Sequence, residues 1–199
     1  MKFEKKIMRE EDGPELYEEE EIDLLEKHIE ENFGTFGNVF HEIVSPDIHV
    51  DIAVVDPTPE RNYYTLVTMG MGAHKMSVPP ELADKMVDRA ELMICLPPDW
   101  KVNDDDEMWY WPIRWLKILA RLPIEENTWL GWGHTIPTGA DVSEKAAFRC
   151  MMLISPPFGE TAGVCPLPSG DEINIYYMTP IYEAEMNYKV NNGAEGLLE

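Results

Sequence analysis

The hydrophobic positions along the chain change period more than once. Ile22, Leu25 and Ile29 recur at helical spacing behind an acidic start at residues 18–21, and Gly34 supplies a stop. Carboxylates favour the positive end of a helix dipole, so the acidic run reads as the beginning and solvent face of an amphipathic helix. After Gly37 the apolar runs become short and β-prone. Residues 39–44 and 49–55 read as two strands joined across Ser45-Pro46-Asp47 by a hairpin or tight connection. In the second run Val50, Ile52 and Val54 alternate with His49, Asp51 and Ala53, which places the two sets on opposite faces. A third strand over 63–69 makes an antiparallel meander the economical first half of a sheet.

Further along, Pro79-Pro80-Glu81 opens a second helix with Leu82, Met86 and Ala90 as its inward stripe. Residues 92–96 are almost wholly apolar, as suits a central strand covered on both faces, and Pro97-Pro98 closes them. An acidic loop over 99–107 follows. Pro112 begins a third helix that runs to about Arg121. Residues 148–154 and 173–178 supply two more strands. Pro180 then starts a final helix to Val190, with Ile181, Ala184 and Tyr188 inward and Asn191-Asn192-Gly193 as its stop. The expected class is α+β (mixed α/β): a single domain with a mixed, largely antiparallel sheet flanked by helices. Residues 1–14 form a polar arm and 15–199 the domain.

Charge narrows the function. The 199 residues carry 38 Asp and Glu against 16 Lys and Arg, a formal net charge of −22. That field repels phosphate backbones and anionic membrane surfaces, so neither nucleic acid nor membrane is expected as a partner. A basic protein partner is compatible with it. The opening residues lack the apolar stretch of a secretory signal, and Cys95, Cys150 and Cys165 are too scattered for a disulfide framework. A reduced, cytoplasmic protein with core cysteines is therefore expected.

No phosphate loop, dinucleotide fingerprint or nucleophile elbow is present, and no cofactor is expected. The glycine segment over 65–72 lacks a third glycine and reads as a structural turn or recognition loop. His41-Glu42 begins like a zinc-protease motif, but Ser45 stands where the second His is required. His49 and Asp51 share a strand face. With His74 or His134 they would supply metal ligands or an oriented base, and this is the alternative reading: a metal-dependent or hydrolytic enzyme of unknown class. Trp132 and His134 either cover the core or line a groove. The aromatic cluster Trp109, Tyr110, Trp111 and Trp115 beside Asp104–Glu107 fits core packing, or an interface with acidic steering around an aromatic centre.

The order of certain segments resembles a bacterial member of the suppressor of fused-like domain family. The resemblance is carried by His49-Val-Asp-Ile52, Tyr64-Thr-Leu-Val-Thr-Met-Gly-Met71, Gly133-His-Thr-Ile-Pro137, Met151-Met-Leu-Ile154 and Tyr177-Met-Thr-Pro-Ile181, across roughly residues 15–199. It implies a mixed sheet with flanking helices and a binding module rather than an enzyme. The animal namesake restrains a transcription factor by binding it, and bacterial relatives resemble immunity proteins that neutralise toxins. The expected activity is thus protein binding, with a basic toxin domain as the partner class. The loops singled out for it carry Met69, Met71, His74 and Met76; Asp104, Asp105 and Asp106; and Trp132 and His134.

Overall fold

The computed structural model describes residues 13–144 and 146–199; the expected arm lies outside them except for Gly13 and Pro14. The first helix, α1 (Glu19–Asn32), opens on a capping box between Glu18 and Glu21, as its acidic start predicts. Strands β1 (Asn38–Phe40), β2 (Asp51–Val55), β3 (Tyr64–Met69) and β4 (Ala90–Leu96) follow, then helix α2 (Glu107–Glu126). The second half holds β5 (Thr135–Pro137), β6 (Cys150–Ile154), β7 (Val164–Pro166), β8 (Glu172–Ile181) and helix α3 (Glu183–Leu198).

One eight-stranded sheet runs in the order β1-β2-β3-β4-β8-β6-β5, with β7 also on β8. The β1–β4 meander is antiparallel throughout. The β4–β8 pair is parallel, and the remaining pairs among the described residues are antiparallel. Alternation along each strand feeds two cores. Ile52, Val54, Leu66, Leu92, Ile94, Met151 and Met178 pack under Trp111, Trp115, Leu116 and Leu119 of α2. Ala53, Val55, Val67, Met93 and Ile175 pack under Leu25, Ile29 and Phe33 of α1. A smaller cluster of Cys150, Met152 and Ile181 is covered by Met186, Ala194 and Leu197 of α3. By the same alternation it lies on the α1 side.

Several boundaries differ from the sequence pattern, each for an identifiable reason. The helix expected from Pro79 is a single 3-10 turn, Pro80–Leu82. Ala90 is recruited into the sheet opposite Asn174, and Met86 is exposed at φ 51°, so no apolar stripe remains to hold a helix. Helix α2 begins earlier than Pro112 because Asp106 caps it, accepting from the Met108 amide at 2.9 Å. Pro112 and Pro123 are therefore internal, and burial of Trp111, Ile113, Trp115 and Leu116 outweighs the hydrogen bonds they remove. The run over 39–44 leaves the sheet at Phe40. Strand β8 continues through Pro180 to Ile181, and α3 starts only after Tyr182. Ala184 and Tyr188 consequently face solvent, and Gly193 kinks α3 rather than ending it. The short β7 strand has no sequence signal beyond Val164 and Cys165.

One buried acid joins these elements. Glu91 is fully buried in β4, and its Oε1 accepts from Tyr17 Oη at 2.6 Å, Gly70 N at 2.8 Å and Gly72 N at 3.1 Å. Its Oε2 accepts from Thr68 Oγ1 at 2.5 Å. The Thr68 hydroxyl also receives the Leu92 amide at 2.8 Å, extending the β3–β4 ladder with a side chain. Close approach explains both loop glycines. A Cβ at Gly70, whose φ is +136°, would lie 1.8 Å from the His49 carbonyl, and one at Gly72 would lie 2.3 Å from Tyr17 Oη. Next to this, Arg89 donates Nε to Gly72 O at 2.6 Å and grips Glu21 of α1 bidentately at 2.6 and 2.8 Å. Arg89 thereby holds the Glu21 carboxyl below its ordinary range. Burial pushes Glu91 upward, and the four donors hold it back only in part.

Replacing Glu91 tests this account. Glu91→Ala strands several buried donors and is expected to cost about 3–5 kcal/mol in urea unfolding. Glu91→Gln keeps an oxygen for Tyr17, Gly70 and Gly72, while Thr68 turns its proton to Leu92 O at 3.3 Å. It should stay within about 1 kcal/mol of the parent at neutral pH. The raised folded-state value favours folding at low pH and opposes it as pH rises through that value, and Gln abolishes this dependence. Equal losses for Ala and Gln would contradict the hydrogen-bond account.

Candidate binding surface

Between β1 and β2 the chain makes a loop over 41–50, and a cation from α2 fixes it. Arg121 donates Nη2 to Glu42 Oε2 at 2.6 Å and to the Ile48 carbonyl at 3.1 Å, and Nε to Asp47 Oδ1 at 3.1 Å. Glu42 also accepts from Ser45 Oγ at 2.9 Å and from the Val50 amide at 3.1 Å. Burial alone would raise Glu42; the Val50 amide, Ser45 and Arg121 together hold it below the usual carboxylate range. With Glu42, Ser45 and Asp47 drawn inward, Ile43 and Val44 point out. Ile43 is 97% exposed and Val44 77%. Two β-branched apolar side chains thus stand in water on a loop that ion pairs make rigid. Their apolar character is what made the run look like a strand.

His49 and Asp51 do meet, with His49 Nε2 to Asp51 Oδ1 at 2.9 Å. The third member is His41, whose Nδ1 lies 2.8 Å from Asp51 Oδ2, and not the expected His74 or His134. Instead, His74 pairs with Glu15 at 3.0 Å, and His134 packs its ring on Trp129 with centroids 4.3 Å apart. Burial lowers His134, and the Lys189 charge adds to this. Among the described residues no group of three or more His, Cys, Asp or Glu could hold a metal ion. Ser45 Oγ lies 2.8 Å from His49 Nδ1, which completes a hydroxyl–imidazole–carboxylate line. The Ser45 hydroxyl is shared between His49 and Glu42 Oε2, and Glu42 is itself held by Arg121, so the line is tied into the loop's own ion pairs. The line closes the loop onto β2.

The other anticipated loops divide into core and surface. Met69, Met71 and Met76 are buried, so their side chains are not presented to a partner. This follows from the Glu91 clasp, which pulls the glycine loop onto the sheet. Asp106 caps α2, and Asp104 accepts the Asp106 amide at 3.0 Å, whereas Asp105 is exposed. Tyr64, Trp100, Val102, Asp104 and Asp105 line a shallow hollow of about 560 Å³ there. Trp132 is 42% exposed beyond the far end of α2. A helix of 20 residues spans ~30 Å, so these aspartates and Trp132 belong to opposite ends of it. The Cys150 and Cys165 thiols are pushed up to about 11 by burial, consistent with core packing.

A depressed carboxylate contributes stability above its ordinary range and loses it as pH falls through the lowered value. Glu42→Gln is expected to cost about 2 kcal/mol at neutral pH and to flatten the acid side of the stability curve. Urea unfolding at a series of pH values measures both. An acid slope equal to that of the parent would refute the clamp.

The family model for Suppressor of fused protein (SUFU) matches residues 46–199. An uncharacterized protein of Ureaplasma parvum serovar 3 is 26% identical over 187 residues, covering 91% of this chain and 88% of that protein. Among solved structures, a SUFU homologue from Neisseria gonorrhoeae superposes with a TM-score of 0.64 at 16% identity, over 89% of this chain and 86% of its own. Sufu from the Sufu–Fu complex gives 0.63 at 14% identity, over 94% and 84%. Drosophila Suppressor of Fused gives 0.61 at 13% identity over 89% of this chain, which spans 44% of the Drosophila chain. At these identities the solved structures speak for a common fold. The family model, matched along well over half of the chain and across most of this sheet, carries the further step: the chain belongs to the suppressor of fused family.

Proposed function

We propose that residues 15–199 form one protein-binding domain that acts by occupying its partner, with the clamped 41–50 loop as its anchor. The observation that carries this reading is the pair Ile43 and Val44, exposed on a loop that Arg121, Glu42 and Asp47 hold in place. Exposed apolar side chains on a rigid support lose little entropy on docking, which is what an interface anchor requires. Membership of the family supports the same reading, and one solved relative is Sufu in a complex with Fu. The net charge of −22 favours a basic partner and fast, salt-sensitive association. Asp104 and Asp105 would steer, and Trp132 with His134 would offer a second contact. A basic toxin domain, occluded in the cytoplasm of the cell it threatens, is the partner class we put forward.

Binding kinetics with a captured partner test this. Substituting Ile43→Ser and Val44→Ser together should weaken binding about tenfold or more, chiefly through faster dissociation. Val190→Ser, at a similarly exposed site on α3, should change nothing. Association should slow as salt rises. A partner held equally by the loop variant would sink the anchor, and a salt-independent association rate would sink the steering. Survival of cells co-expressing the toxin with this domain, lost in the loop variant, tests the partner class.

A further inference from the structure

The three helices do not hold the sheet equally. Helices α1 and α2 each bury several side chains against it, whereas α3 buries none. Gly193, at φ 82° and ψ 169°, breaks α3, so Met186 docks from one piece and Ala194 and Leu197 from the other. Asn187, Asn191, Asn192, Gly193 and Gly196 also give it poor intrinsic helix propensity. Its polar links to the rest of the described residues are weak. Glu183 reaches the half-exposed Arg149 at 3.9 Å, and Lys189 Nζ donates to Thr135 Oγ1 at 3.3 Å. Few buried contacts mark a unit that opens locally, well before the domain unfolds.

The face beneath α3 is nevertheless a finished interior. Cys150 is fully buried and Met152 and Ile181 nearly so, and the helical side chains packed on them come from α3. Thr179 stands opposite Met152 in the ladder and shares the face of Ile181. Its Oγ1 is buried and has no partner among the described residues. The covered state thus takes water from a hydroxyl and returns no hydrogen bond, which counts against it. Charge gives α3 no help either. It sets Glu183, Glu185 and Glu195 against Lys189 in a chain whose net charge is −22.

We propose that α3 is a displaceable cover, and that the face beneath it seats a basic amphipathic helix of a partner in its place. That face already holds a helix, so its shape suits one. A basic helix gains from the acidic field that α3 does not, and a polar side chain set against Thr179 satisfies its hydroxyl. Undocking exposes Cys150, Met152, Ile154 and Ile181 while α2 and α1 keep the two larger cores closed. An apolar sheet face opened in this way is a groove for helix recognition. The residues involved are distinct from the 41–50 loop, so failure of this seat leaves that anchor standing, and the reverse holds too.

Thiol labelling of the intact chain with dithiobisnitrobenzoate, resolved by site with mass spectrometry, reads the undocking. Cys150 lies under α3, and Cys165 lies under α1, with its Sγ 3.8 Å from the Leu24 carbonyl. Both thiols are buried and pushed up to about 11, so Cys165 is a matched reference. Without denaturant, Cys150 should react about tenfold faster than Cys165 or more. Met186→Ala and Leu197→Ala together should speed Cys150 about tenfold again. Cys165 should stay unchanged, which reports that the rest of the chain remains folded. Two fluorescent peptides then probe the seat: residues 182–199 of this chain, and the same peptide with Glu183→Lys, Glu185→Lys and Glu195→Lys. Each should bind the double variant saturably and protect Cys150. The lysine peptide should bind about tenfold more tightly at low salt, by a margin that shrinks as salt rises. Equal labelling of Cys150 and Cys165, Cys150 labelling that ignores the α3 substitutions, or peptides that leave Cys150 unprotected would overturn the proposal. Equal affinity of the two peptides would overturn the basic occupant.

Discussion

A buried carboxylate with no cation bonded to it sets the geometry from which the rest follows. Glu91 sits in β4, where the sheet turns from an antiparallel meander to the parallel β4–β8 pair. An ionised group in that position is tolerable only if its lone pairs are filled. Thr68, Gly70, Gly72 and Tyr17 fill them, and each draws a different piece of chain inward. The end of β3, the turn after it and the segment before α1 are thereby tied to one side chain. The Thr-Met-Gly-Met segment is then a consequence of Glu91, with its two backbone amides aimed at an acid and no room for a Cβ at Gly70 or Gly72.

The second acid clasp works by the opposite electrostatics. Glu42 has a full guanidinium against it and is held low, whereas Glu91 has neutral donors and is pushed up. Both immobilise a loop, but with different outcomes for the surface. Around Glu91 the loop folds inward and its methionines join the core. Around Glu42 the acid goes inward while Ile43 and Val44 go out, so the loop becomes a rigid mount for apolar side chains. The same type of residue thus hides one loop and displays the other, according to whether its neighbours along the chain are needed in the core.

Much of the fold was legible because it rests on apolar alternation. Val50, Ile52 and Val54 do face one core and Ala53 the other, and 92–96 is a central strand. The reading failed where a polar residue decides. Asp106 moves the start of α2, Ala90 abandons its expected helix to extend a strand that carries Glu91, and Glu42 pulls its run out of the sheet. Two isolated signals were available: Arg89 and Glu91 immediately precede the apolar run of β4, and Arg121 follows the apolar stretch Ile118-Leu-Ala120 of α2. A charge beside or within a buried element must have a partner, but sequence does not name one 68 to 79 positions away. His49 and Asp51 were correctly joined for that same short-range reason, and His41, ten positions from Asp51, was not.

Net charge and local charge also act on different scales. At physiological salt the Debye length is about 8 Å, so exposed carboxylates steer an approaching partner but barely reach across the domain. A basic docking partner is therefore compatible with local ion pairs of either geometry on one molecule of charge −22. What governs those pairs is the immediate shell: Arg89, Arg114, Arg121 and Arg149 each meet a carboxylate at contact distance, where screening by salt is weakest. The exposed carboxylates without such a partner are the ones left to act on what approaches.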